Sequence, residues 1–146
     1  GMNAPFEFET DVGWFDLDAN RHMKNTAYME KCVDCRLRFF HSIGVSPETF
    51  AKWKVAFVVV RDEVTYSREL FLGDRMRVQI LIGGINAKGT RFVVVNRILT
   101  PAGEPVYEIR SMVVWLDTEL RKTTAPPAEL ARIVEAMART EDYAPL

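Results

Sequence analysis

The sequence predicts an α+β fold: one long helix lies against a five-stranded antiparallel sheet that curls around it, and a further helix follows near the C-terminal end. Three observations predict it. Hydrophobic spacing switches from period two to helical and back, in the order strand, helix, four strands, helix. The breaks between the later strand candidates are short and rich in turn residues, which implies an antiparallel meander. The long helical segment carries a wide apolar arc and a narrow charged strip, the pattern of a helix mostly surrounded by protein.

The first strand is expected over Phe6 to Phe15, where Phe6, Phe8, Val12 and Trp14 alternate loosely. A polar loop follows. From Thr26 to Phe40, Tyr28, Met29, Cys32, Val33, Cys35, Phe39 and Phe40 recur at helical spacing, while Glu30, Asp34 and Arg38 fall four apart on another face. Ser46-Pro47-Glu48 predicts a short helical turn in the connection that comes next. Val55 to Ser67 opens as a continuous apolar run. Met76 to Ile82 alternates, with Met76, Val78, Ile80 and Ile82 on one face. Arg91 to Leu99 is β-branched and apolar, and Val106 to Leu116 places Tyr107, Ile109, Val113 and Trp115 on one side. Leu72-Gly73-Asp74, the Gly83-Gly84 to Lys88-Gly89 stretch and Pro101-Ala102-Gly103 supply the turns. Thr124-Ala125-Pro126-Pro127 ends the sheet, and a last helix to about Arg139 presents Leu130, Ile133, Val134 and Met137 at helical spacing.

One domain over residues 2–146 is expected, with 48% hydrophobic residues sufficient for a substantial core. Gly1, ahead of Met2, looks like a residue left by tag removal. Nineteen basic residues against twenty acidic ones argue against a general nucleic-acid or membrane-surface binder, which needs a basic excess. No apolar run reaches the roughly 20 residues that span a bilayer. The N-terminus lacks the basic and apolar regions of a signal peptide, so a cytoplasmic location is expected. The only cysteines, Cys32 and Cys35, fall inside the helical pattern and are expected to be buried core thiols. His22 and His41 lie outside zinc-finger spacing, and neither a metal nor a cofactor is expected.

The chemistry concentrates in the loop before the long helix. Asp16, Asp18, Asn20, His22 and Asn25 place two carboxylates, an imidazole and two carboxamides within ten residues at a strand–helix junction. A carboxylate there can act as base or nucleophile while nearby donors hold a carbonyl oxygen, which is how acyl transfer is staged. The same residue types also make turns and helix caps.

This run resembles the entry motif of the hotdog-fold thioesterases, Asp-x-Asp-x-x-Gly-His-Val-Asn-Asn-x-x-Tyr, met here by Asp16, Asp18, His22, Asn25 and Tyr28. Arg21 replaces the glycine and Lys24 the first asparagine. It is also similar to the Asp-x-Asn-x-His-x-Asn-Asn motif of plant acyl-carrier-protein thioesterases, through Asp18, Asn20, His22 and Asn25. The resemblance implies the hotdog fold, which the element order supports independently. It implies hydrolysis of a fatty or aromatic acyl-coenzyme A thioester, with an acyl-carrier-protein ester or non-catalytic acyl binding as alternatives. It implies further that Asp18 is the catalytic carboxylate, that Asp16 supports the loop, and that Asn20 positions His22 or a water. His22 would orient water or bond the loop, and Asn25 would orient the loop or a carbonyl, or cap the helix. Tyr28 would pack or line an acyl pocket, and a downstream acid is expected, with Glu63 on the right strand. Arg21 would narrow the entrance or meet a phosphate. The turn Asn86 to Phe92 resembles the basic turn that meets the nucleotide in hydroxybenzoyl-CoA thioesterases, which implies that Lys88 and Arg91 contact coenzyme A. The fold also implies a homodimer or homotetramer, because a lone unit leaves sheet edges open.

Overall fold

The computed structural model describes residues 3–146. β1 (Phe6–Asp11) leads through a 3-10 turn at Trp14–Asp16 and the polar loop into α1 (Asn25–Ser42), then the short α2 (Pro47–Trp53). Four long strands follow: β2 (Val55–Tyr66), β3 (Arg75–Ile85), β4 (Arg91–Leu99) and β5 (Pro105–Asp117). A two-residue β6 (Lys122–Thr123) and α3 (Ala128–Ala136) complete the elements. The sheet is antiparallel throughout, in the order β1-β3-β4-β5-β2, with β6 on β5, and it curls around α1.

That order corrects the expected meander. β3, β4 and β5 do pair in sequence, but β2 lies beyond β5, not beside β3. The link from Ser67 to Asp74 passes the loop before α1, where Met23 donates to Leu70, and β1 occupies the free side of β3, from Phe6 opposite Ile80 to Asp11 opposite Arg75. The first strand also stops earlier than its alternation suggested. Gly13 accepts the amide of Asp16 and turns the chain, leaving Trp14 and Phe15 on the surface instead of in the sheet.

The core is the concave face of the sheet against α1. Met76, Val78, Ile80 and Ile82 of β3 and Tyr107, Ile109, Val113 and Trp115 of β5 are buried, as the period-two pattern requires. Phe50, Phe57 and Phe92 surround Trp115 with ring centroids 5.1–6.2 Å away, fastening α2 and β2 onto the sheet. Cys32 and Cys35 are fully buried, unbridged thiols of α1.

α1 departs from its expected surroundings in two ways. Met29, Val33 and Leu37 form an exposed apolar stripe, so the helix is not covered all round. Arg36 is buried in spite of its charge. At the other end, α3 ends at Ala136, short of Arg139, because the chain there pairs with β3: Ile82 donates to the Ala138 carbonyl and Thr140 donates back to that of Ile82. Among the described residues, no helix is long and apolar enough to cross a membrane.

Candidate active site

The loop between β1 and α1 is folded by Asp18. Its Oδ1 accepts the amides of Asn20 and His22 at 2.8 and 3.0 Å, while its own amide donates to the His22 carbonyl at 2.8 Å. A five-residue reversal this tight needs a left-handed residue, and Arg21 supplies it with φ +66°. Arginine therefore takes the backbone conformation that glycine would allow freely. Asp16 fixes the other side: its Oδ2 accepts the Gly13 amide at 2.8 Å and lies 3.2 Å from Lys31 Nζ on α1. That is the supporting role expected of it.

Lys24 stands at the N-cap of α1 and makes no side-chain cap, and no acidic residue lies in the first turn. Asn25 is the first helical residue, so the expectation that it caps the helix is not met. The amides at this end, those of Asn25 and Thr26, have no partner within the helix and make no backbone bond outside it among the described residues. They are aimed outward with the positive end of the helix dipole behind them. An uncapped N-terminus next to a carboxylate is an unusual arrangement, since a carboxylate would ordinarily cap it.

A cleft of about 470 Å³ opens here, and Asp18, His22, Asn25, Tyr28, Tyr66 and Glu69 contribute to its walls. His22 Nδ1 lies 3.6 Å from Glu69 Oε1, and the imidazole stands edge-on to Phe71 at 5.3 Å. Tyr28 is buried, stacks on Tyr107 at 5.4 Å, and takes the Leu70 amide on its hydroxyl at 3.1 Å, with burial pushing its phenol above the ordinary range. It serves both as packing and as wall.

The structure thus brings Asp18, His22, Asn25 and Tyr28 together. Asn20 and Arg21 are exposed on the reversal, and Asn20 makes no side-chain hydrogen bond to His22 among the described residues. Glu63 is not the downstream acid. It pairs with Arg110 across the strands and points to the outer face, since its neighbour Asp62 bonds the inward-facing Ser111. The carboxylate that lies beside His22 is that of Glu69, in the loop after β2, a residue with no motif around it to single it out in the sequence. Lys88 and Arg91 are also displaced. Their hairpin joins the far ends of β3 and β4, about 30 Å along the strands from the cleft end at a rise of ~3.3 Å per residue. Within one chain they do not meet the cleft. No group of three or more metal-ligating side chains is clustered among the described residues.

The chain is 26% identical over 136 residues to the acyl-acyl carrier protein thioesterase ATL3 of Arabidopsis thaliana, covering 92% of this chain and 70% of that one. It is 25% identical to the long-chain acyl-CoA thioesterase FadM of Escherichia coli, covering 88% and 96% of the two chains. Its fold matches that of SAV2348 from Staphylococcus aureus, solved in complex with CoA, with a TM-score of 0.82 at 20% identity over 96% of this chain and 90% of that one. The thioesterase-like superfamily profile matches residues 12–134, from the buried Val12 just after β1 to the buried Val134 of α3. Loop, helix and curled sheet all lie inside that match, and the chain belongs to the thioesterase-like superfamily.

Proposed function

We propose that this protein hydrolyses acyl-coenzyme A thioesters with Asp18 as the catalytic carboxylate. The observation that carries the reading is the meeting, in one cleft, of that carboxylate with the uncapped N-terminus of α1. Asp18 Oδ1 is committed to two amides of its own loop, Oδ2 makes no hydrogen bond among the described residues, and Asp18 lines the cleft. Oδ2 takes a proton from water as the water oxygen bonds to the thioester carbon. The amides of Asn25 and Thr26 hold the resulting oxyanion, with the helix dipole favouring its charge. The C–S bond then breaks, and the thiolate leaves with the proton that Asp18 received. His22, held beside Glu69, orients the water. The likeness to FadM supports coenzyme A as carrier. The Asp18, Asn20, His22 spacing and the likeness to ATL3 favour acyl-carrier-protein esters as a second reading, separated by comparing rates on one acyl group carried both ways.

The test is a panel of acyl-CoA substrates with free-thiol detection, run on the wild type and on Asp18→Asn. The amide keeps the shape of the carboxylate and loses its basicity, so kcat should fall about 100-fold or more. Near wild-type turnover would refute the assignment. A single turnover in oxygen-18 water that leaves the product unlabelled and puts the label into Asp18 would show direct attack by Asp18 followed by water addition at the aspartyl carbon.

The assembly is read as a homodimer. β2 is a 12-residue strand that pairs with β5 and, among the described residues, with no strand on its other edge, where Val59 and Val60 are exposed. Two-fold antiparallel pairing of that edge with a second copy satisfies its backbone groups. It also turns the Lys88 and Arg91 hairpin of each copy toward the cleft end of the other.

A further inference from the structure

Beyond the cleft, the helix-facing side of β2 continues as a groove. Register places Tyr66, Val64, Asp62, Val59 and Phe57 opposite the inward-facing Tyr107, Ile109, Ser111, Val113 and Trp115, so these five share one side of the strand. The series starts at Tyr66 in the catalytic cleft and ends at Phe57, in a second cavity of about 720 Å³ between α1, α2 and β2. The exposed Met29, Val33 and Leu37 of α1 run alongside it. The side of β2 that leads from the polar cleft to the cavity is apolar apart from Asp62, and the cavity walls are mostly apolar, with one buried charge as the exception.

That exception is Arg36, which lines the cavity and is only 8% exposed. Its Nε donates to Asn96 Oδ1 at 2.8 Å and its Nη2 to Ser111 Oγ at 2.7 Å, both neutral acceptors. A carboxylate, that of Asp62, is one bond removed, accepting a hydrogen bond from the Ser111 hydroxyl at 2.6 Å. Among the described residues no carboxylate pairs with Arg36 directly and none accepts from its Nη1. At the cleft end of the same wall, the buried Tyr107 hydroxyl also has no partner. A buried guanidinium with a free donor is costly in an apolar cavity, and a hydrocarbon chain covering it would add to that cost.

We infer that the groove takes the acyl chain of the thioester, and that Arg36 selects chains carrying a hydrogen-bond-accepting oxygen at their distal part. The inference rests on the thioesterase reading and adds a substrate class to it. Position sets where the oxygen sits. Arg36 lies eleven residues beyond Asn25, about 16 Å along the helix at ~1.5 Å per residue, so the oxygen is remote from the carbonyl and not adjacent to it. Hydroxyl, oxo and carboxyl groups share the required chemistry.

The test pairs straight-chain acyl-CoA thioesters, from butanoyl to hexadecanoyl, with their ω-hydroxy and ω-carboxy counterparts. For the wild type, kcat/KM should favour an oxygenated substrate over its plain partner at one intermediate length by about tenfold or more, the discrimination expected when a buried charged donor is met or left unmet. Arg36→Met should erase that ratio, and Arg36→Lys should retain part of it. Equal use of oxygenated and plain partners at every length by the wild type overturns the inference, even if both variants fail to fold. If no thioester is cleaved, the thioesterase reading fails, and calorimetry with dodecanoic and dodecanedioic acids still decides this one. Tighter binding of the diacid that is lost in Arg36→Met upholds it, and equal binding rejects it.

Discussion

Arg21 offers a direct measurement of backbone strain at the catalytic loop. Its φ of +66° lies where a Cβ crowds the chain, at about 1–2 kcal/mol per residue. Arg21→Gly removes that strain and enlarges the conformational freedom of the unfolded chain, which takes back about 0.5–1 kcal/mol. The net gain should be about 0.5–1 kcal/mol. For a chain of this length, ~2–4 °C of Tm per kcal/mol converts that into a rise of about 1–4 °C. Arg21→Ala is the control, because it deletes the same exposed side chain but keeps a Cβ at positive φ. Thermal unfolding of the three proteins, followed by circular dichroism at one concentration, decides the matter. A glycine variant no more stable than the alanine variant would refute the argument. Kinetics on the same pair separates a second question. If the guanidinium meets a coenzyme A phosphate, KM rises equally in both variants, whatever happens to Tm.

Two further outcomes follow from features far from that loop. Replacing Lys88 and Arg91 together by Ala should raise KM for acyl-CoA more than it lowers kcat, with the effect shrinking as salt rises. Because their hairpin is at the opposite end of the chain's own sheet, this requires a second copy, and light scattering that finds only monomer together with an unchanged KM would dispose of both ideas. Burial pushes the Cys35 thiol up to about 12 from an ordinary 9.0, and drives Cys32 higher still. The native thiols should resist thiol reagents at neutral pH. The raised values stabilise the fold fully below the unfolded pKa. Above it the unfolded chain releases protons that the folded one keeps, so stability should fall as pH rises from about 9 toward 12. Denaturation midpoints that stay flat across that window would contradict the burial argument.

Much of the architecture was legible because it depends on local periodicity. Alternation at Met76 to Ile82 and around Tyr107 to Trp115 fixed which side chains enter the core, and the dense loop before α1 located the cleft. What escaped depends on distant partners. Nothing near Val55 says that β2 crosses to the far side of β5, because pairing is decided between strands some fifty residues apart in sequence. Arg36 reads as one more helix charge until Asn96 and Ser111 are found against it. Glu69 carries no motif, and only the turn of the chain after Tyr66 brings its carboxylate to His22. Arg21 replaces the motif's glycine and still adopts a left-handed φ, which the sequence does not show because it records the residue type and not the dihedral.

The way the chain finishes against β3 bears on how far self-assembly can proceed. β1 covers that strand only as far as Ile80, and beyond it the segment after α3 takes over: Ala144 donates to Gly83 and Leu146 to Ile85. The fit is close enough that a Cβ on Gly84 would come within 2.4 Å of the Ala144 carbonyl. The outer flank of β1 is only six residues long, and its Glu7, Glu9 and Asp11 are held by Arg75 and Arg77 of β3, a short border of paired charges poorly suited to take another strand. A sheet bare along both borders could add units head to tail without limit, as fibres do. Here one border is guarded and only β2 is open, so growth by strand addition has a single step available to it.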